Sequence, residues 1–130
     1  MTLEEIKNEC MELQAILETI IPSDINGVVE HAKMLAVYLA RSGYLLAEAK
    51  KIARSARTKQ IGETIIKIAK EQYLSAKAQN AIVDSIATEE MFLVDHLDRI
   101  NSGLVHTMDL CRTIVSKEKA ELQYLGYHAT

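Results

Sequence analysis

The residues best suited to chemistry form a basic group near the middle of the chain. Lys50, Arg54 and Arg57 are four and three residues apart, so on a helix they share one face. Lys51 is adjacent to this face, and Tyr44 precedes it on the same predicted helix. Cations beside an aromatic ring can hold a phosphate and stack a base, so the pattern predicts a site for a nucleotide-type anion. The alternative is a solvent-exposed basic face that pairs with acidic residues elsewhere.

A column of polar residues on the last predicted helix is the second candidate site. Its members recur every three or four residues and are Asp95, Arg99, Ser102, His106, Asp109, Arg112 and Ser116. In one interpretation, Arg99, His106 and Arg112 meet an anionic ligand in a cavity between subunits. In the other, the column faces solvent or forms a network of paired charges between helices. His96 and Asn101 lie off the column, so we expect them to make helix-to-helix hydrogen bonds.

The aspartates of the column distinguish its arginines from Arg54 and Arg57 by their charge environment. Each arginine of the column has an aspartate within about one helical turn, which partly neutralises its charge. Arg54 and Arg57 lie instead in the most basic part of the chain. We therefore expect Arg54 and Arg57 to carry ligand binding, and Arg112 to support stability or the oligomer.

The motifs that usually mark an enzyme do not occur in the sequence. It has no phosphate-binding Gly-x-x-x-x-Gly-Lys loop, no Gly-x-Gly-x-x-Gly, and no Cys-x-x-Cys or His-x-x-x-His of the zinc type. The Glu-x-x-His motif of di-iron helical proteins also fails, because no glutamate stands three residues before a histidine. We therefore expect a non-enzymatic protein without a metal or a cofactor. Cys10 and Cys111 fall at apolar positions, where packing is their expected role.

The first predicted helix begins at a capping box. The Thr2 hydroxyl and the Glu5 carboxylate are spaced to satisfy each other's backbone amides. The helix is expected to stop at Pro22, and Ser23 or Asp24 is the expected cap of the next helix. Apolar residues follow its length at steps of three and four, as Leu3, Ile6, Cys10, Leu13, Leu17 and Ile20.

The second predicted helix runs from about Ile25 to about Arg57. A turn is expected at residues 57–60, followed by a short helix over 61–69. The long helix carries small residues at steps of four and three, which predict a close approach of a neighbouring backbone. This small-residue stripe consists of Ala32, Ala36, Ala40, Gly43 and Ala47.

The last predicted helix is continuous from about Ala76 to Leu125, after a kink around Tyr73–Ser75 and before a C-terminal cap at Gly126. Its length is at least about 65 Å at 1.5 Å per residue, whereas a compact domain of this size has a radius of gyration of about 14 Å. The helix must therefore bend around Thr88–Glu90 or be covered by other subunits, and a homo-oligomer is favoured. Its apolar face consists of Ile82, Ile86, Leu93, Leu97, Ile100, Leu104, Cys111 and Ile114.

Composition sets the class of protein. The chain has 130 residues, 48% hydrophobic and 25% charged, with 15 alanines against five glycines and one proline. These values predict one all-helical domain over residues 1–130, an antiparallel bundle of three to four helices. Two cysteines make no disulfide framework, and no run of eighteen residues is apolar. We therefore expect a cytoplasmic protein that does not enter a membrane.

The charge distribution bears on the choice of partner. The net charge is −3, so general nucleic-acid binding is disfavoured because it depends on neutralising phosphates. Residues 41–77, however, carry nine basic and three acidic side chains. A local excess of this size suits a small anion.

Several segments resemble small helical proteins of bacteriophages and of prophages in gut anaerobes. The segments are VYLARSGYLLAEAK at 37–50, Arg99-Ile100-Asn101, His106, and CRTIVSKEKAE at 111–121. Small all-helical phage proteins include oligomeric sponges that bind cyclic nucleotide signals and so blunt host defence. The chain is similar to those sponges in size and architecture, which implies an anti-defence role by sequestration.

Three functions are consistent with these observations. The leading hypothesis is a homo-oligomeric, non-enzymatic phage protein that sequesters a nucleotide-derived signal at a subunit interface. The second is an accessory protein of phage DNA recombination or replication that uses the basic segment electrostatically. The third is a structural helical adaptor in which the polar column has no ligand.

Overall fold

The structure is a computed structural model that describes residues 1–70 and 75–128, with side chains to residue 126. The described residues form α-helices and no strand, which confirms the all-helical class and the long C-terminal helix. The helices are α1 (Leu3–Leu17), α2 (Ile25–Lys70), α3 (Ala76–Asp84) and α4 (Thr88–His128). No described helix combines the length and apolar character needed to span a membrane.

The predicted capping box of α1 is confirmed. The Glu5 amide donates to Thr2 Oγ1 and the Thr2 amide donates to Glu5 Oε2, both at 3.2 Å. The predicted continuation of the helix beyond Leu17 is wrong, and Ile20 is 92% exposed. The Thr19 amide and hydroxyl both donate to the Ile16 carbonyl, at 3.1 and 2.6 Å, which tightens and closes the last turn.

Helix α2 is longer than the sequence predicts. It begins where Asp24 accepts a hydrogen bond from the Gly27 amide at 2.9 Å, as an N-cap does. The predicted turn at 57–60 is wrong, because these residues contain no glycine or proline and the helix continues to Lys70. Its 46 residues span about 69 Å. Its buried residues end at Ala53, so the last turns extend beyond the core.

The predicted unbroken helix from Ala76 to Leu125 is also wrong. The chain turns between α3 and α4 at Ala87, which has a φ of 55°. An alanine in this left-handed region costs about 1 kcal/mol, but Ala87 is buried and its amide donates to Gln60 Oε1 at 2.9 Å. The bend therefore lies just before the 88–90 segment, where the length argument placed it as one of two alternatives. The kink at 73–75 falls mostly outside the described residues.

The far end of α4 also differs from expectation. Gly126 lies inside the helix, which continues to His128, so the predicted C-terminal cap at Gly126 is wrong. A glycine does not by itself end a helix when the residues around it are good helix formers.

The core lies mainly between α2 and α4. The Asn101 amide group donates to Ser42 Oγ at 2.9 Å near the middle of both helices. Val29 of α2 lies beside Cys111 of α4, and Arg57 lies beside Met91. Residues with higher numbers in α2 therefore lie beside residues with lower numbers in α4, so the two helices are antiparallel. The buried core consists of Ile6, Cys10 and Leu13 of α1, Val28, Leu35, Leu45, Ala49 and Ala53 of α2, and Leu93, Val94, Leu97, Ile100, Leu104 and Cys111 of α4.

Helix α1 covers one side of the α2–α4 pair. Arg41 of α2 donates to both carboxylate oxygens of Glu9 at 2.8 Å. Gly103 of α4 receives the Leu17 side chain, which would lie 2.8 Å from a Cβ at that position. A side chain at position 103 would therefore require the end of the Leu17 side chain to shift.

The small-residue stripe does not mediate a close approach within the chain. Ala36, Ala40, Gly43 and Ala47 are exposed, and Ala32 is half-buried. Larger residues such as Leu35 and Leu45 face α4 instead, because their burial removes more apolar surface from water. The predicted contact is therefore wrong for the protomer.

Candidate functional site

Three of the predicted cations line one groove between α2 and α4. This basic groove encloses about 260 Å³. Lys50, Arg54 and Arg57 come from α2, as their spacing on one helix face predicts, and the start of α4 closes the other side. Its lining is Lys50, Ala53, Arg54, Arg57, Met91 and Val94.

The cations of the basic groove have no acidic partner among the described residues. The ion pairs of those residues are Lys7–Glu89, Lys33–Glu30, Arg41–Glu9 and Arg112–Asp109. Three positive charges within two helical turns repel one another, so a bound anion lowers the electrostatic free energy of the groove. Lys50, Arg54 and Arg57 are all exposed, as the solvent-exposed alternative expects, although none of them forms an ion pair with another described residue.

Tyr44 and Lys51 lie outside the lining of the basic groove. Tyr44 is 49% exposed, and the Arg41 guanidinium lies 5.1 Å from the centre of its ring. Arg41 is in turn held by Glu9 of α1. The predicted combination of cations and a stacking ring is therefore not formed, and Met91 and Val94 supply the apolar surface instead.

Sequence reasoning missed the two residues of α4 in the groove. Met91 falls between the apolar face and the polar column, and Val94 is next to a predicted core residue, so neither stands out by spacing. Their role follows from α4 beginning at Thr88, beside residues 53–57 of α2.

The polar column of α4 is exposed along its whole length. Arg112 has a side chain that is 77% exposed and pairs with Asp109 at 3.6 Å. Arg99 and His106 form no ion pair with other described residues. In the protomer the column is thus a solvent face, and none of its cations reaches the basic groove. Arg112 lies instead in a second, open groove beside Lys33 of α2.

The expected helix-to-helix hydrogen bonds of His96 and Asn101 are confirmed. Asn101 donates to Ser42, as described above. His96 Nε2 lies 3.1 Å from Gln14 Oε1, and His96 Nδ1 lies 3.4 Å from Cys10 Sγ. Gln14 Nε2 also donates to a Glu18 oxygen at 3.1 Å.

The carboxylate of Glu18 determines which groups of this hydrogen-bond network donate and which accept. A Glu18 carboxylate only accepts, so the Gln14 amide nitrogen faces Glu18 and its oxygen faces His96. His96 Nε2–H then donates to Gln14, and its Nδ1 accepts from the Cys10 thiol. Burial raises the pKa of the Cys10 thiol, so the thiol stays protonated. The pair is therefore a structural contact between α1 and α4 and not an activated nucleophile.

A second cavity lies between α1 and α4 and was not predicted. It encloses about 340 Å³ and is lined mostly by apolar side chains, including Leu3, Met11 and Phe92. Phe92 is 70% and Met11 is 60% exposed. The Lys7–Glu89 ion pair at 3.9 Å lies on its rim. The cavity has no unpaired cation, so it differs chemically from the basic groove.

The described residues contain no group of His, Cys, Asp and Glu side chains placed to hold a metal ion. Comparison of the chain with protein-family models, with curated proteins and with solved structures finds no match.

Proposed function

We propose that this chain is a non-enzymatic binding protein that holds a small phosphate-bearing anion of nucleotide type in the basic groove. One observation supports this proposal above the others. Lys50, Arg54 and Arg57 line one concave surface and have no acidic partner among the described residues.

Each side chain of the groove has a distinct part in the proposed binding. The Arg54 and Arg57 guanidinium groups present planar pairs of N–H donors, which match two oxygens of one phosphate. Lys50 adds a compact charge that adapts to the position of a second phosphate. Met91 and Val94 offer apolar surface to a sugar or a base.

The size of the groove bears on the assembly. At about 260 Å³ it lies just below the usual range of small-molecule pockets, about 300–1,000 Å³. It accommodates the phosphates and part of a nucleoside, while the remainder needs a second wall. We propose that a homo-oligomer of the helical bundle supplies that wall and that the protein sequesters its ligand without turnover. This is the behaviour that the resemblance to phage sponges implies.

Calorimetry with a panel of cyclic and ADP-ribose-derived nucleotides tests the proposal. Arg54→Ala and Arg57→Ala each remove one charge-assisted contact, so each should weaken binding by about 1–3 kcal/mol without changing the helix content. Lys119→Ala is the matched control, because Lys119 is an exposed cation on α4 far from the groove. The ligand should be recovered intact after denaturation. A panel that gives neither heat nor a shift in melting temperature would refute the proposal.

The second candidate function, an accessory role in DNA recombination or replication, is favoured by the basic excess over residues 41–77. Gel shifts with single-stranded DNA at low and moderate salt separate it from the first. Length-dependent binding that falls steeply with salt indicates contact with many phosphates and favours the DNA role. Binding that saturates with a mononucleotide favours the basic groove.

A further inference from the structure

We propose that the cavity between α1 and α4 binds a small, neutral molecule that contains an aromatic ring. Its wall is formed by one face of α1 and by the first turns of α4, and none of its residues lines the basic groove. The inference therefore does not depend on the anion proposed for the basic groove, and the two sites can be tested separately.

The size of the cavity suits a small molecule better than a protein. It encloses about 340 Å³, which lies within the range of about 300–1,000 Å³ for small-molecule pockets. Eight residues form its wall, whereas a specific protein interface takes about 20–30 residues on each partner. Because the wall comes from both helices, a ligand in the cavity contacts α1 and α4 at once.

The apolar side chains of the wall hold water poorly. They are Leu3, Met11, Phe92 and Leu93, of which Phe92 is 70% and Met11 is 60% exposed. A water molecule needs about two to four polar partners to be held in a cavity, and apolar side chains do not provide them. An apolar ligand that replaces this water is favoured, because its own surface and that of the wall are both removed from water.

The polar side chains of the wall already have partners in the chain. Lys7 pairs with Glu89 at 3.9 Å on the rim, so the two charges offset each other. Cys10 Sγ lies 3.4 Å from His96 Nδ1, and His96 Nε2 lies 3.1 Å from Gln14 Oε1. A charged or strongly polar ligand would lose its hydrogen bonds to water without gaining equal ones in the cavity. The wall therefore selects a neutral ligand.

Two rings and a sulfur atom favour an aromatic ligand over an aliphatic one. The centres of the Phe92 and His96 rings lie 6.2 Å apart, and the two ring planes are inclined by 53°. A flat ring can stack on one of them and meet the other edge-on, and aromatic pairs prefer these two arrangements. The Met11 thioether is polarisable and also makes favourable contacts with aromatic rings.

Fluorescence titration of the full chain with phenylnaphthylamine, a neutral aromatic dye that brightens in apolar surroundings, tests the wall on α4. We expect one dye per chain, and Phe92→Ala should raise the dissociation constant about fivefold or more because an aromatic contact is lost. Leu110→Ala, at another exposed apolar residue of α4, is the matched control and should leave the constant unchanged. An absence of binding, or equal effects of the two variants, would overturn the proposal.

The wall on α1 is tested with the same dye. Met11→Glu places an unpaired charge in the cavity and should raise the dissociation constant at least about tenfold. Ala15→Glu, at an exposed alanine of α1 outside the wall, is the matched control and should leave the constant unchanged. An apparent affinity that weakens as the protein concentration rises would show that a second copy covers the cavity, which would overturn the proposal. Circular dichroism confirms that each variant is folded.

The sulfonated form of the dye, anilinonaphthalene sulfonate, tests the preference for a neutral ligand. It is titrated into a chain with both Arg54→Ala and Arg57→Ala, so that the basic groove does not hold the sulfonate. It should bind at least about tenfold more weakly than phenylnaphthylamine, because Lys7 is already paired with Glu89. A sulfonate that binds as tightly as the neutral dye, and whose binding is lost in Lys7→Ala, would indicate an anion site and overturn the proposal.

Discussion

The hydrogen bond between Ser42 and Asn101 should couple α2 to α4 by about 1 kcal/mol. Ser42 is fully buried, its hydroxyl donates to the Leu39 carbonyl at 2.8 Å, and it accepts from Asn101 at 2.9 Å. Replacing either residue by alanine removes the inter-helix bond, whose net value is about 0.5–1.5 kcal/mol. Alanine also returns about 0.5 kcal/mol of helix propensity at each position, so each single variant understates the bond.

A double-mutant cycle isolates the coupling from the change in propensity. Ser42→Ala, Asn101→Ala and the double variant are unfolded in urea at one protein concentration, and the coupling should be about 1 kcal/mol, or about 4 °C in melting temperature. The exposed serines Ser55 of α2 and Ser102 of α4 provide the control cycle, which should show no coupling. A Ser42–Asn101 coupling below about 0.3 kcal/mol would refute the view that this contact fixes the relative position of the two helices.

Three further outcomes follow from the structure. Gly43→Ala should raise the free energy of unfolding by about 0.5–1 kcal/mol, measured in urea at high dilution, because the added Cβ makes only an ordinary contact of 3.9 Å with Asn101 Nδ2. A lower free energy of unfolding would contradict this reasoning. Leu97→Ala should lower the free energy of unfolding by about 2–5 kcal/mol in the same assay, because Leu97 is fully buried. Leu122→Ala, at an exposed leucine of α4, is the control and should change it by less than about 0.5 kcal/mol. Burial raises the pKa of Cys10 above its ordinary value of 9.0, so the unfolded thiol ionises first and the free energy of unfolding should fall as the pH rises through 9. Cys10→Ala should reduce that slope, and an unchanged slope would show that other groups cause it.

Local signals predicted the ends of helices well where a side chain makes the cap. Thr2, Glu5 and Asp24 act through bonds to amides three residues away, so the sequence contains the whole interaction. The end of α1 at Leu17 was missed although its contact, from Thr19 to the Ile16 carbonyl, is local. The position of the break at Ala87 depends on a contact that is absent from the local sequence. Ala87 is held in its left-handed conformation by Gln60, which is 27 residues earlier.

The candidate site was predictable only on α2. A spacing of four and three places Lys50, Arg54 and Arg57 on one face whatever the rest of the chain does. The residues of α4 that lie opposite these three cations depend on where α4 begins. Periodicity alone did not predict the turn at Ala87 that precedes it. The exposure of the small-residue stripe also depends on tertiary packing. Burying the leucines beside the stripe removes more apolar surface from water than burying its alanines, so the leucines form the core.

Local stability should decrease along α2 after Ala53. No residue of α2 beyond Ala53 is fully buried, and α3 has no buried residue. Helical segments with few buried contacts are marginal in water, so this end can open without unfolding the core. Amide hydrogen exchange should therefore be fast at residues 62–70 and in α3, and slow from Leu35 to Ala49. Limited proteolysis should first cut α3 or residues 62–70. The basic groove lies at the boundary of this segment, so an anion bound there would slow exchange in the neighbouring turns of α2.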